Sequence, residues 1–297
     1  MSIVVCKLPK AGLGNQLFPL MKAYTFAHLN GLPVIVTNYH QLKIGPYLRN
    51  EKVKRNYSGF FTFQKNIFAA QFDKWKLKKY KNNQQIEPSV EKIDGAANAG
   101  IYVFSEMPHW DHYFDGLKEN RQLVVALFKK LVSQKVYGKI KNHAAPCIGI
   151  HIRMGDFRKL KEGEDFNKVG IVRTPESHFI QIIKTIRNIH GSALPVSVFT
   201  DGFAHEFKEL FKLQNISLIE GNSDIADLIL LSKSKLIVTS ATSTFSYWAC
   251  FLSQAIIIKH PAHVNTIIRS KSNNAMLFEG ALDIQDQLLV EQIRNII

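Results

Sequence analysis

The sequence predicts an α/β protein of two domains, each built on a mostly parallel sheet covered by helices. Its elements begin that reading. Short apolar stretches of strand type alternate with stretches of helical period along the chain, the pattern of parallel sheets covered by helices on both faces. The length, 297 residues, suits two domains. Charge is divided unevenly: residues 1–150 hold 22 Lys and Arg against nine Asp and Glu, whereas residues 151–297 hold 16 against 15. The change falls at His143-Ala144-Ala145-Pro146, which predicts a basic N-terminal domain over 1–143 and a near-neutral one over 144–297.

The elements follow in order. Residues 3–8 form an apolar strand, and Gly12-Leu13-Gly14 turns the chain into a helix over 16–30. Leu17, Leu20, Met21, Tyr24 and His28 fall near one face of that helix. Gly31 closes it, and 32–37 is the next strand. Residues 38–100, rich in Lys, Asn and aromatics, carry no clean period and read as short helices elaborating the first domain. Ile101–Phe104 reads as a strand and 120–137 as one amphipathic helix. After Pro146 the alternation is cleaner. Strands are expected at 147–152, 196–200, 217–219, 236–239 and 255–259, with helices over 175–189, 204–211, 225–232 and 243–252. Pro175 fits the first helical position behind an N-cap Thr174.

Composition narrows the function classes. With 46% hydrophobic and 21% charged residues the chain builds ordinary cores, which excludes disorder, collagen and coiled coil. Apolar runs such as Ala255-Ile256-Ile257-Ile258 fall far short of the roughly 20 residues that span a bilayer. The N-terminus lacks the basic start and small-residue cleavage site of a signal peptide. Cys6, Cys147 and Cys250 stand far apart, an odd count without C-x-x-C, so reduced thiols and a cytoplasmic location are expected. The basic first half calls for an anionic partner.

Three motifs stand where strands turn into helices. In Gly12-Leu13-Gly14-Asn15, backbone N–H groups at a helix start can approach an anion. Leu17 takes the place of the third glycine of the dinucleotide fingerprint, and no Gly-Lys-Ser/Thr follows, so this is neither a Rossmann fingerprint nor a Walker loop. In His151-Ile152-Arg153-Met154-Gly155-Asp156, a strand ends in His, Arg and Asp, with His151 and Arg153 on one face. An arginine at a strand end suits a phosphate, because its planar fork makes bidentate charged bonds. In Ser243-Thr244-Phe245-Ser246-Tyr247-Trp248, hydroxyls gather at a helix start, either as caps or as an anion and base site. Asp201, Asp224 and Asp227 add carboxylates near strand ends.

These motifs, in this order and spacing, make the chain similar to the bacterial alpha-1,2-fucosyltransferases nearly end to end. The resemblance implies the GT-B fold, two Rossmann-like domains with mostly parallel sheets facing a cleft, with GDP-β-L-fucose as donor, no metal, and inversion at the anomeric carbon with transfer to a glycan hydroxyl, galactose O2 being expected. It implies that Arg153 binds the donor diphosphate with His151 beside the nucleotide. Ser243, Thr244, Phe245 and Ser246 would line the guanine and phosphate site, and Asp201 and Asp227 match acids of the donor half. Gly12, Gly14 and Asn15 match the loop that closes on the donor phosphates. Pro19 and Tyr247 depart from the family pattern; Tyr247 keeps a ring where the family has the first of two tryptophans.

No Asp-x-Asp occurs in the chain, so a carboxylate-held Mg²⁺ or Mn²⁺ on the diphosphate is not expected, and a cation such as Arg153 must meet the leaving group. His109 and His112, three apart with no third ligand, read as structural. Asp156 is the expected catalytic carboxylate, while Glu162, Glu164 and Asp165 nearby leave the identity of the base open. A glycosyltransferase with another nucleotide sugar is the alternative. A nucleic-acid-binding protein would explain the charge but lacks a basic helix pattern, and no nucleic acid is expected. Lys74, Lys76, Lys78, Lys79 and Lys81 interleave with Trp75, Leu77 and Tyr80, which suggests peripheral contact with an anionic membrane and a lipid-linked acceptor in O-antigen or other surface-glycan assembly.

Overall fold

The computed structural model describes residues 2–41, 43–77, 84–93, 100–166, 169, 171–263, 266–270 and 277–297. In chain order its elements begin β1 (Ile3–Lys7), α1 (Leu13–Leu29), β2 (Val34–Thr37), the single turn α2 (Gly45–Leu48), α3 (Ile67–Leu77), β3 (Gln84–Ile86), β4 (Ile101–Phe104), α4 (Arg121–Leu131) and α5 (Gln134–Ile140). They continue with β5 (Ile148–Ile152), α6 (Glu176–His190), β6 (Val196–Thr200), β7 (Ile216–Leu218), α7 (Asp224–Ser232), β8 (Leu236–Val238), α8 (Thr244–Leu252), β9 (Ile256–Lys259), β10 (Glu279–Ala281) and α9 (Gln287–Arg294). Among the described residues every pairing between these strands is parallel, as the βα alternation requires.

The strands make two sheets, one in each of two compact units. The first unit comprises Met1–Leu42, Asn56–Gly138 and Ile267–Asn273; the second comprises Lys43–Arg55, Lys139–Thr266 and Asn274–Ile297. The long division at Gly138 lies five residues before the boundary expected from charge at 143. Two short segments cross it that no composition shift announces.

In the first unit the strand order is β2-β1-β4-β3. Its core is aromatic. Phe18 of α1 stacks on Tyr113 at 5.0 Å, and Phe26 lies 4.9 Å from Tyr102 and 5.4 Å from Phe104 of β4. The helix expected over 120–137 is two helices, α4 and α5. Val132 leaves helical geometry (φ −70°, ψ 135°) to bridge Phe61.

In the second unit the order is β10-β9-β8-β5-β6-β7. β5 is buried on both faces, as a central parallel strand must be. Ile148, Ile150 and Ile152 face a core with Phe179, Ile182, Ile183 and Ile186, the i, i+3, i+4, i+7 stripe of α6, and with Leu289 and Ile293 of α9. Gly149 faces the other way, where a Cβ would stand 2.7 Å from Leu231 of α7 and 2.2 Å from Ser234 Oγ. Only glycine fits that approach.

Some ends differ from expectation. Pro175 is the cap residue of α6 rather than its first helical residue, because Thr174 Oγ1 accepts from Ala241 N at 3.0 Å and so fixes the β8–α8 loop instead. The helix expected over 204–211 is two 3₁₀ turns, Ala204–Glu206 and Leu210–Lys212. Among the described residues no helix is long and apolar enough to cross a membrane. Of the basic run, Lys78, Lys79, Tyr80 and Lys81 lie outside the described residues.

Candidate active site

The second sheet has a switch point. From β5 the chain adds β6 and β7 on one side, then returns to the other side of β5 for β8, β9 and β10. In open parallel sheets ligands bind where the order reverses, beyond the carboxyl ends of the two diverging strands. Here those strands are β5 and β8, and each runs into one of the two motifs of the C-terminal half. Ser240 Oγ ties them together, accepting from Arg153 N at 2.9 Å and donating to the His151 carbonyl at 2.8 Å.

Arg153 leaves β5 into a bed of carboxylates. Its Nη1 pairs with Asp201 Oδ2 and its Nη2 with Asp156 Oδ1 at 2.5 Å. Asp201, at the end of β6, also accepts from Met154 N at 2.7 Å, so one acid fixes both the guanidinium and the turn behind it. A Cβ on Gly155 would lie 2.5 Å from Asp201 Oδ2, so this turn needs glycine for the carboxylate to reach Arg153. Arg55 of the crossing segment Lys43–Arg55 adds a second guanidinium to Asp156, with Nη2 3.2 Å from Oδ1. Burial pushes the Asp156 carboxyl up, but Arg153 and Arg55 together hold it below the usual carboxylate range.

His151 is buried beneath this layer. Its ring stacks on Phe245 with centroids 4.6 Å apart, and its Nδ1 lies 3.3 Å from Ser243 Oγ. Burial, then the neighbouring Arg153, lowers its pKa to about 3, so the imidazole is neutral at physiological pH. Ser243 caps α8, accepting from Ser246 N at 3.5 Å, and Ser246 Oγ donates to the Ser243 carbonyl at 3.1 Å. Thr242, before the cap, holds φ of 56°, a left-handed conformation that costs a β-branched residue energy. Asp227 lies in the first turn of α7 and accepts from Asn222 Nδ2 at 3.1 Å. Burial pushes Asp227 up to about 7 and Asp224 up to about 6, the latter in the field of Asp201, Arg153 and Lys43.

Gly12, Gly14 and Asn15 belong to the first unit. Gly12 is the cap residue of α1 in extended geometry, and Leu13 N donates to Tyr57 Oη at 2.8 Å. Gln16 Nε2 donates to the Pro9 carbonyl at 2.9 Å and fixes the turn from within.

The sequence model of glycosyl transferase family 11 matches residues 5–276. The chain belongs to glycosyl transferase family 11. No curated protein sequence matches it. Among solved structures it is similar to the fucosyltransferase NodZ from Bradyrhizobium, at 14% identity and a TM-score of 0.53, over 89% of this chain and 97% of that one. The NodZ alpha-1,6-fucosyltransferase soaked with GDP-fucose aligns over 87% of this chain and 95% of its own, at 14% identity and a TM-score of 0.51. At that identity the likeness is one of fold, and it agrees with the GT-B class expected from the sequence.

In this family 11 chain the second unit brings His151, Arg153, Asp156, Asp201, Ser243 and Phe245 to one sheet end. Thr244 and Ser246 stand on the same helix start, and Asp227 stands a short way off beside Asp224. Glu164 is drawn away to an exposed pair with Arg158 at 2.6 Å. His112, in a 3₁₀ turn of the first unit, has its Nδ1 2.7 Å from Asp115 in an exposed pair. Among the described residues no group of three or more His, Cys, Asp or Glu is arranged to hold a metal ion. Sequence reasoning missed Arg55, Glu51 and Lys43, which come from the crossing segment, and Ser240 and Thr174. The spacing of Arg49, Glu51 and Arg55 was a legible sign of an ion-paired turn, but nothing local said which unit it joins.

Proposed function

We propose that this family 11 glycosyltransferase moves L-fucose from GDP-β-L-fucose to a glycan hydroxyl, O2 of galactose, with inversion and without a metal. The observation that carries this reading is Arg153 at the switch point, braced by Asp201 and Asp156 in a motif shared with the alpha-1,2-fucosyltransferases. A preorganised guanidinium at that place meets the negative charge that builds on the β-phosphate as the bond from anomeric carbon to phosphate oxygen breaks. GDP leaves with that electron pair, and the acceptor oxygen closes on the opposite face of the sugar.

Asp156 takes the acceptor proton in this reading. Two arginines keep it ionised before the donor binds. A modest base suffices for an oxocarbenium-like step, where the hydroxyl becomes acidic as its oxygen bonds to carbon. His151 and Phe245 offer a flat neutral floor, Thr244 offers a hydroxyl, and Ser243 and Ser246 hold the helix start for the nucleotide. Asp201 and Asp227 complete the donor side, and in the first unit the helix start at Gly12, Gly14 and Asn15 carries backbone N–H groups of the kind that suit phosphate oxygens. Metal independence rests on Arg153 and on the lack of Asp-x-Asp in the sequence.

The acceptor is proposed to be a lipid-linked glycan met at the cytoplasmic face of a bacterial membrane. Phe68, Phe72 and Trp75 recur at i, i+4, i+7 along α3 and are 87%, 53% and 54% exposed, beside the sequence's lysine-rich run. Aromatic rings in the headgroup layer with lysines against lipid phosphates would hold such a surface reversibly.

A donor and acceptor panel tests the reading. Transfer from GDP-fucose should far exceed transfer from GDP-mannose, persist in EDTA, and give an α-1,2 linkage by NMR of the product. Preference for GDP-mannose would replace fucose with another nucleotide sugar. Activity abolished by EDTA and restored by Mn²⁺ would refute metal independence.

A further inference from the structure

Arg55 comes to the second unit on the crossing segment Lys43–Arg55, and its guanidinium lies between two carboxylates. On one side is Glu51, buried, whose Oε2 takes Arg55 Nη2 at 2.6 Å while Arg49 holds its Oε1 at 2.5 Å. On the other is Asp156, reached by Nη1 at 3.3 Å to Oδ2 and by Nη2 at 3.2 Å to Oδ1. Asp156 Oδ1 is the atom that Arg153 also holds, so one carboxylate spans both guanidiniums. Gly155 makes room for this approach: a Cβ there would stand 3.1 Å from Arg55 Nη2. The Arg55 backbone holds φ of 56°, a conformation unfavourable for a side chain of its size.

A buried carboxylate and a left-handed arginine each cost stability, and strain of this kind gathers where geometry serves binding. We propose that Arg55 is a second guanidinium of the donor-diphosphate site, positioned by Glu51 to hold with Arg153 a phosphate anion in the place the Asp156 carboxylate now occupies. The inference rests on the GDP-sugar reading above. A phosphoryl group presents oxygens at a spacing close to that of a carboxylate, so what Asp156 spans a phosphate spans too. Once the diphosphate takes the two forks, Asp156 is released from them toward the acceptor hydroxyl. Its proton affinity then rises with the loss of its cationic partners.

Calorimetric titration of GDP and GMP, without acceptor, tests this. The wild type should prefer GDP. Arg55→Ala should shrink the GDP-to-GMP preference at least about tenfold while leaving GMP affinity within about twofold, since a lost bidentate contact to the second phosphate acts on GDP alone. Arg55→Lys should recover little, because a point charge does not reproduce the fork. Glu51→Gln should lose part of the preference with Arg55 still present, which a merely structural role would not produce. If the alanine variant does not fold, the lysine variant decides, because its ammonium keeps a charge partner for Glu51. Variants that melt normally and keep the wild-type preference overturn the proposal. A wild type that binds neither nucleotide overturns the GDP reading, and this inference with it.

Discussion

Both sheets reverse their strand order beside the first strand of their unit, yet the two crevices are furnished differently. In the first unit the ends of β1 and β4 are knitted by neutral amides and one acid. Gln41 Nε2 donates to the Leu8 and Pro9 carbonyls at 3.1 Å each, Gln16 to Pro9, and Glu87 Oε1 accepts from Ser105 N at 2.5 Å and Glu106 N at 2.7 Å. In the second unit the same place holds Arg153, Asp156 and Asp201, with Arg55 added from outside. Topology supplies a crevice in each case; the residues at the strand ends decide which one handles charge.

The difference breaks first at Arg153. Arg153→Ala should lower turnover at least about 100-fold, the scale for removing a preorganised donor at developing charge, and Arg153→Lys should restore little. Steady-state kinetics on a protein with an unchanged melting curve measures it, and a loss of less than tenfold would return the two crevices to equal standing.

Packing sharpens the comparison next. Gly149→Ala should destabilise the protein by about 1–3 kcal/mol, because the new methyl drives into Ser234 and Leu231 in the tightest part of the second sheet. Chemical denaturation followed by circular dichroism would show the midpoint fall.

The pH dependence comes third. Asp227 titrates at about 7 in the fold against an ordinary 3.8, so between those values the folded protein holds a proton that the unfolded chain has released. Stability from this group is full below about pH 4 and is lost as pH rises through about 7. His151 runs the other way: at about 3 in the fold against 6.5, its contribution is present above 6.5 and lost as pH falls toward 3. Asp227→Asn should therefore flatten the decline in melting temperature between pH 5 and 8 and leave the acid-side loss in place. A variant with the wild-type slope would show that Asp227 is not the group responsible.

The smallest effect belongs to the first unit. Gly12 has no atom within 4 Å of where a Cβ would stand and a φ of −62°, so Gly12→Ala should shift stability by less than about 1 kcal/mol. A large loss of stability there would mean the first turn is as tightly built as the second.

Much of this was legible. The strands β5, β6, β8 and β9 and the helices between them announce themselves by period, because a central parallel sheet needs apolar strands and each covering helix needs a stripe. Arg153 and Ser243 could be placed at strand ends from the same periods. What was not legible depends on long-range pairing. Nothing near residue 55 says that its side chain meets residue 156, and β10 and α9 are too short or too polar to stand out. Residues 120–137 carry one unbroken helical period, and only the bridge from Phe61 to Val132 divides them. The positive charge of the first half was real but misplaced in part. Lys43, Arg49, Lys52, Lys54 and Arg55, against Glu51 alone, ride the crossing segment into the second unit.

That crossing has a consequence for how the molecule is made. Residues 43–55 leave the ribosome long before β5 begins at Ile148, and Ile267–Asn273, which complete the first unit, emerge only after most of the second unit. Neither unit is a continuous stretch of polypeptide, so neither can finish folding while the chain is still growing through the other. Arg55 must wait for a partner 101 residues downstream. Contacts of such separation close slowly and leave the nascent chain dependent on what shields it in the meantime. A gene cut at residue 143 would therefore yield two fragments that each lack a piece held by the other, and that reach the native state by association after synthesis, not during it.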